Sequence, residues 1–188
     1  MIFNILLFDD FTALDAFGPV EVLSGLPGSE LRFVSLEGGL VSNHQNVSVM
    51  TEKFCDEMLG DVWLLPGGMG TRPLSKDEVF LEQLKRIAEA SEFFLTVCTG
   101  SALLARTGLL DGRAATSNRR AAEWVRSCGP DANWQIEEKR WVRSGKYFTA
   151  AGVSAGIDMA LAFVREIYGA ESAREIASRM EYRWDEEL

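Results

Sequence analysis

The chain has 188 residues, 47% of them hydrophobic and 25% charged, with a formal net charge of -9 and a sequence pI near 4.7. That length supports one sizeable core and leaves little room for a second, so a single domain over residues 1–188 is expected. An acidic surface repels phosphate backbones and anionic membranes, which argues against nucleic acid or a lipid surface as partner.

Residues 2–8 are a continuous apolar run cut off by Asp9-Asp10. The run is too short to span a membrane and has no basic leader, so it reads as a strand buried on both faces in a parallel sheet. Residues 12–23 predict a helix disturbed at Gly18-Pro19, where proline removes a backbone donor and bends the axis. Asp15 lies one turn before that break, flanked by Leu14, Ala16 and Phe17, and belongs either on a solvated face or in a desolvated position. Residues 31–36 predict a second strand. Residues 41–50 predict short β pieces around a polar turn at 42–46. The one histidine of the sequence, His44, falls in that turn and is expected at the surface, away from any cleft.

Residues 61–65 predict a third strand running into Pro66-Gly67-Gly68-Met69-Gly70, whose glycines let backbone N–H groups point into a cleft. Ser75-Lys76-Asp77-Glu78 reads as a capping box, and Phe80, Leu81, Leu84, Ile87 and Ala88 form the apolar stripe of a helix. Residues 93–97 are a β-prone run ending at Cys98, after which Thr99-Gly100 leads into a helical pattern with Ala102, Leu103 and Ala105 apolar. A tight turn there sets the Cys98 sulfur at the carboxyl edge of a strand and beside the free N–H groups of a helix start. Partial positive charge at that place is expected to pull a thiol below its usual pKa of about 8.5. Cys98 is either a nucleophile on such an elbow or a buried structural cysteine. From 61 to 107 strand and helix alternate, the pattern of a parallel sheet with right-handed crossovers.

Beyond Gly108 the sequence predicts a short strand at 114–116 and a helix from a cap at Asn118 to Gly129-Pro130. Ala121, Trp124, Val125 and Cys128 lie on its apolar face, which places Cys128 in the core. Strands at 135–142 and 146–150 follow, then a helix over 155–168 behind a cap at Ser154 and a last helix over 170–184 with an acidic tail. Cys55, Cys98 and Cys128 cannot pair evenly and lack metal-ligand spacing, which fits a reducing cytoplasm and predicts no metal. Three loops leave carboxyl ends of strands, carrying Asp15, Pro66 to Gly70, and Cys98; one cleft at the switch point of an open sheet can hold all three.

Five stretches follow one another along almost the whole chain: Leu14-Asp15-Ala16-Phe17-Gly18-Pro19-Val20-Glu21-Val22, Leu65-Pro66-Gly67-Gly68, Val97-Cys98-Thr99-Gly100-Ser101, Ala151-Gly152-Val153-Ser154-Ala155-Gly156-Ile157-Asp158 and Met180-Glu181-Tyr182. In that order they resemble the DJ-1/PfpI (ThiJ/PfpI) superfamily of glutamine-amidotransferase-like folds, and within it the isonitrile hydratase branch. The resemblance implies an α/β, flavodoxin-like, doubly wound fold: a mostly parallel sheet with helices on both faces and a nucleophile elbow. It implies Cys98 as the reactive centre, Asp15 as its acid partner, and an oxyanion or substrate pocket from the N–H groups of Gly68 and Thr99, with Gly67 and Asn118 beside it. No cofactor is called for; a small-molecule substrate and a homodimer with the site near the interface are.

Two positions depart from many relatives, which carry histidine where this chain has Thr99 and Asn118. A thiolate and a carboxyl are then the chemistry left. The activity implied is addition of water to an isonitrile, giving an N-substituted formamide by attack of a Cys98 thiolate, with neutral Asp15 acting first as acid and then as base. The alternatives are a redox sensor that oxidises Cys98, another small-molecule hydrolase or glyoxalase-like activity, and a ligand-binding module. Met69, Thr71 and Trp141 are candidates for narrowing the cleft.

Overall fold

In the computed structural model, which describes residues 1–186, the chain runs β1 (Ile2–Leu6), α1 (Ala13–Ser24), β2 (Glu30–Ser35), β3 (Gly39–Ser42), β4 (Ser48–Lys53) and β5 (Val62–Leu65). It continues through α2 (Thr71–Leu74), α3 (Glu78–Ala90), β6 (Phe94–Val97), α4 (Gly100–Arg106), β7 (Ala114–Ala115) and α5 (Ala122–Cys128). The last elements are β8 (Asn133–Trp134), β9 (Trp141–Ser144), β10 (Tyr147–Ala150), α6 (Ala155–Tyr168) and α7 (Ala170–Arg179). Glu187 and Leu188 of the acidic tail lie outside the described residues.

The main sheet has eight strands in the order β3-β4-β2-β1-β5-β6-β10-β9. From β4 across to β10 every pair is parallel, and only the two edge strands, β3 and β9, run antiparallel to their neighbours. The central strands β5, β6 and β10 are buried at every position, as continuous apolar runs covered by helices on both faces must be. One helical group is α1, α6 and α7; the other is α3, α4 and α5. Phe163 of α6 locks the first group to the sheet, its ring meeting Phe3 of β1 and Phe148 of β10 edge-on at 6.1 and 5.4 Å. The doubly wound α/β arrangement is the one expected.

Several local expectations need correction. Ser75 does not cap α3; Asp77 does, its carboxylate accepting from the N–H groups of Val79 and Phe80 at 3.1 Å each, while the Ser75 hydroxyl donates back to the Arg72 carbonyl at 2.8 Å. The strand predicted over 135–142 begins only at Trp141. Residues 135–139 form a turn closed by Lys139 N–H on the Gln135 carbonyl (3.0 Å), because the charged Glu137-Glu138-Lys139 segment has nothing to bury. Ser154 holds the N-cap position of α6 without a capping bond, its oxygen facing Arg140 instead. The final helix ends at Arg179 rather than 184: Glu181 turns into the left-handed region (φ 51°), and Tyr182 is then free to donate its hydroxyl to Asp158.

Candidate active site

The order of strands reverses between β1 and β5, and the loops leaving the carboxyl ends of β1, β5, β6 and β10 converge there. Cys98 follows β6 directly and has φ 58°, a region few non-glycine residues adopt. Three hydrogen bonds hold it: its N–H donates to the Ala150 carbonyl (3.0 Å), and its carbonyl accepts from the hydroxyls of Ser101 (3.0 Å) and Ser117 (2.8 Å). Together they offset a backbone cost of about 1 to 3 kcal/mol.

Asp15 is fully buried in the first turn of α1. Its Oδ2 accepts the Gly67 N–H at 3.1 Å, while Oδ1 has no hydrogen-bond partner. Proline at position 19 lacks the N–H that would return to the Asp15 carbonyl, which loosens the helix beside the carboxyl. Burial pushes the Asp15 carboxyl up to about 7, against the opposing pull of the Gly67 N–H and the Cys98 thiol.

The same crevice raises the sulfur. Burial, and then the charge of Asp15, push the Cys98 thiol up to about 12, outweighing the Thr99 N–H and the Asn118 amide that favour the thiolate. The expectation of a lowered thiol pKa is therefore overturned. A helix of seven residues contributes only partial charges, whereas removing the sulfur from water beside a carboxylate costs more. Each group acts on the other, so sulfur and carboxyl titrate as a coupled pair.

Asn118 donates from Nδ2 to the Cys98 sulfur at 3.1 Å. Its amide orientation is fixed from the other side, where Oδ1 accepts the Arg120 N–H at 2.9 Å. The N–H groups of Gly68 and Thr99, implied as pocket donors, are both engaged, as is that of Gly67 beside them. Gly67 spends its donor on Asp15, and Gly68 donates to Thr99 Oγ1 at 3.0 Å. Thr99 keeps its own N–H turned to the sulfur. Gly67 remains tightly placed, since a Cβ there would lie 2.6 Å from Thr99 N and 2.8 Å from Cys98 Cβ.

A residue that chain-order reading left out of the site is Gly152, after β10. With φ 134° it brings backbone against the reactive group, and a Cβ there would stand 3.0 Å from Asn118 Nδ2 and 3.1 Å from the sulfur. Its place in the Ala151-Gly152-Val153 stretch was the available signal. Ser117 and the arginines at 72 and 120 were likewise missed.

Cys98, Thr99, Gly68 and Asn118 open into a cleft of about 250 Å³ that is also lined by Thr12, His44, Met69, Arg72, Arg120 and Ala121. His44 is exposed as expected, but it reaches the cleft, correcting the expectation that it would stay away. Asn43 brings the turn there, accepting the N–H groups of Gln45 and Val47 while donating to the Phe11 carbonyl. Met69 lines the cleft; Thr71 lies beneath it, buried, with its hydroxyl on Gly68 O and Thr99 Oγ1; Trp141 lies on β9 and is not in the lining. Among the described residues no group of His, Cys, Asp and Glu side chains is placed to hold a metal ion, and no helix is long and apolar enough to cross a membrane.

The sequence pattern of the DJ-1/PfpI family matches residues 3–166. An isonitrile hydratase of Pseudomonas putida is 34% identical over 179 residues, 94% of this chain and 76% of that protein. The crystal structure of a ThiJ/PfpI family protein from Pseudomonas syringae superposes with a TM-score of 0.87 at 26% identity, covering 98% of this chain and 76% of that one. Drosophila melanogaster DJ-1beta shares the fold, with a TM-score of 0.82 at 19% identity over 97% of this chain and 98% of the other.

Proposed function

Because the chain belongs to the DJ-1/PfpI family, we propose that it is a cysteine-dependent enzyme of the isonitrile hydratase type, adding water to an isonitrile to release an N-substituted formamide. One observation carries the reading: a buried thiol and a buried carboxyl face each other across a strained elbow, with the carboxyl poised near neutrality. Identity of 34% to an isonitrile hydratase over 94% of the chain supports the choice of substrate class.

Burial raises both groups of the coupled pair, and Asp15 is the one placed to shuttle the proton they share, taking it from sulfur as base and returning it as acid. As the Cys98 sulfur forms its bond to the terminal isonitrile carbon, the thiol proton passes through Asp15 to that same carbon, leaving R–N=CH–S–Cys98. Water then adds to this carbon, giving its proton to Asp15, which passes it to nitrogen. The C–S bond breaks, sulfur leaves with the electron pair and takes the remaining hydroxyl proton, again through Asp15, and R–NH–CHO departs. Asn118 and the Thr99 N–H stabilise the sulfur while it carries charge.

The test is turnover of cyclohexyl isocyanide by the wild type, Cys98→Ala and Asp15→Asn, followed by appearance of the formamide. A loss of at least a thousandfold is expected in both variants. Equal rates in all three dispose of the reading. The homodimer implied by the family belongs to the same proposal, and sedimentation equilibrium measures it.

A further inference from the structure

The charge of the cleft is opposite to that of the molecule around it. The chain carries a net charge of -9, yet the charged residues lining the cleft beside Cys98 are Arg72 and Arg120, with His44 in the same lining and no acidic residue among them. A neighbouring groove shares Asn118 and Arg120 and adds Arg119 and Arg140, but those two side chains are engaged. Arg119 donates to the Ile136 carbonyl, and Arg140 pairs with Asp158. Arg72 and Arg120 have no acidic partner among the described residues.

Arg72 is nevertheless held still. Its guanidinium lies over the Trp124 ring at 3.7 Å, which uses the face of the group and leaves the N–H edge free. A planar fork fixed in that way matches the two oxygens of a carboxylate. Arg120 is placed through its backbone by Asn118, the residue that also holds the sulfur. Stacked on Trp124 of α5, the Arg72 guanidinium sits on the flank of the cleft formed by that helix, and Arg120, just before α5, shares that flank.

We propose that this cleft selects substrates bearing a carboxylate at the end remote from the reacting carbon, held by the edge of Arg72 and by Arg120. Resting on the hydratase reading, the substrate class is then an isocyano carboxylate and the product an N-formyl amino acid: isocyanoacetate and water would give N-formylglycine. The enzyme supplies no charge to the net reaction, and the carboxylate passes through unchanged.

The experiment has two arms, the first independent of turnover. Cys98 is alkylated with iodoacetate and, separately, with iodoacetamide, and the rates are read at the peptide level with exposed Cys55 as internal reference. The thiolate fraction of each cysteine cancels in the ratio of the two reagents. The iodoacetate-to-iodoacetamide ratio at Cys98 is expected to exceed that at Cys55 at least tenfold in low salt, and to fall at least threefold in Arg72→Gln and in Arg120→Gln. Arg120 is exposed and unstacked, so its variant keeps the test decisive if loss of the Trp124 stack prevents Arg72→Gln from folding. A ratio at Cys98 no higher than at Cys55, or one that neither variant changes, overturns the proposal.

The second arm compares kcat/KM for isocyanoacetate and ethyl isocyanoacetate, with at least a tenfold preference for the acid expected. Turnover of both at equal kcat/KM upholds the hydratase reading and overturns the carboxylate claim. Preference for iodoacetate with no turnover of either isonitrile supports carboxylate recognition and sinks the hydratase reading.

Discussion

The chemistry of the site turns on where one proton sits. Burial holds the Asp15 carboxyl up to about 7 in the folded chain, against an ordinary 3.8. Between those values the native state binds more protons than the unfolded chain, so the stability attached to this group declines as pH rises from about 4 to 7 and stays lost above. Asp15→Asn removes the titration while an amide oxygen can still accept the Gly67 N–H. The variant is therefore expected to be more stable than the wild type at pH 8, by about 1 to 3 kcal/mol, with the difference vanishing toward pH 4. Urea unfolding of both proteins at the two pH values measures it, and parallel curves at all pH would remove Asp15 as a desolvated acid. Its place before Gly18-Pro19 left Asp15 open between a solvated and a desolvated position, and only the ordered family motifs implied it as the acid. Its protonation state was legible in neither, because desolvation depends on what α1 packs against.

At the scale of elements, one buried carboxylate joins three segments. Asp158 in the first turn of α6 is 2% exposed and accepts from Arg140 Nε, just before β9, and from the Tyr182 hydroxyl, just after α7, each at 2.9 Å. The partners differ in their access to water: the Arg140 side chain is 34% exposed, that of Asp158 only 3%. Removing the arginine strands a buried charge, whereas removing the carboxylate leaves a guanidinium that can turn to solvent. Arg140→Met is accordingly expected to cost about 3 kcal/mol and Asp158→Leu distinctly less, by the shift in urea midpoint. The reverse order would contradict the assignment of Asp158 as the dependent partner. This network also explains two errors of sequence reading, the overlong final helix and the strand begun too early, since both ends are set by where Tyr182 and Arg140 must reach. Periodicity within each segment carries no sign of that meeting.

For the whole molecule, the two cysteines outside the site report on its integrity. Cys55 is exposed, while Cys128 is buried with Ala102, Val125 and Ile136 in a cluster joining α4 to α5. A thiol reagent should modify Cys55 at once without denaturant. Cys128 should react only at the rate at which the far-UV signal is lost, because α5 rests on the helix that follows the Cys98 elbow. Rapid native-state labelling of Cys128 would show that this flank opens by itself and that the elbow is not supported as described.

The alternation of apolar strand runs with helical stripes was enough for the fold class, since a strand buried on both faces must sit inside a parallel sheet covered by helices. Local chemistry raised Cys98 at its turn as either a nucleophile or a core cysteine, and the ordered family motifs, not periodicity, implied Asp15 and the glycines at 67 and 68 as its companions. Only tertiary structure decided that the Gly67 and Gly68 donors are already taken, that Asn118 holds the sulfur, that His44 comes round to the cleft, and that burial raises both the carboxyl and the thiol. Patterning records which residues seek burial; hydrogen-bond partners and proton affinities belong to the environment that distant segments create when they pack.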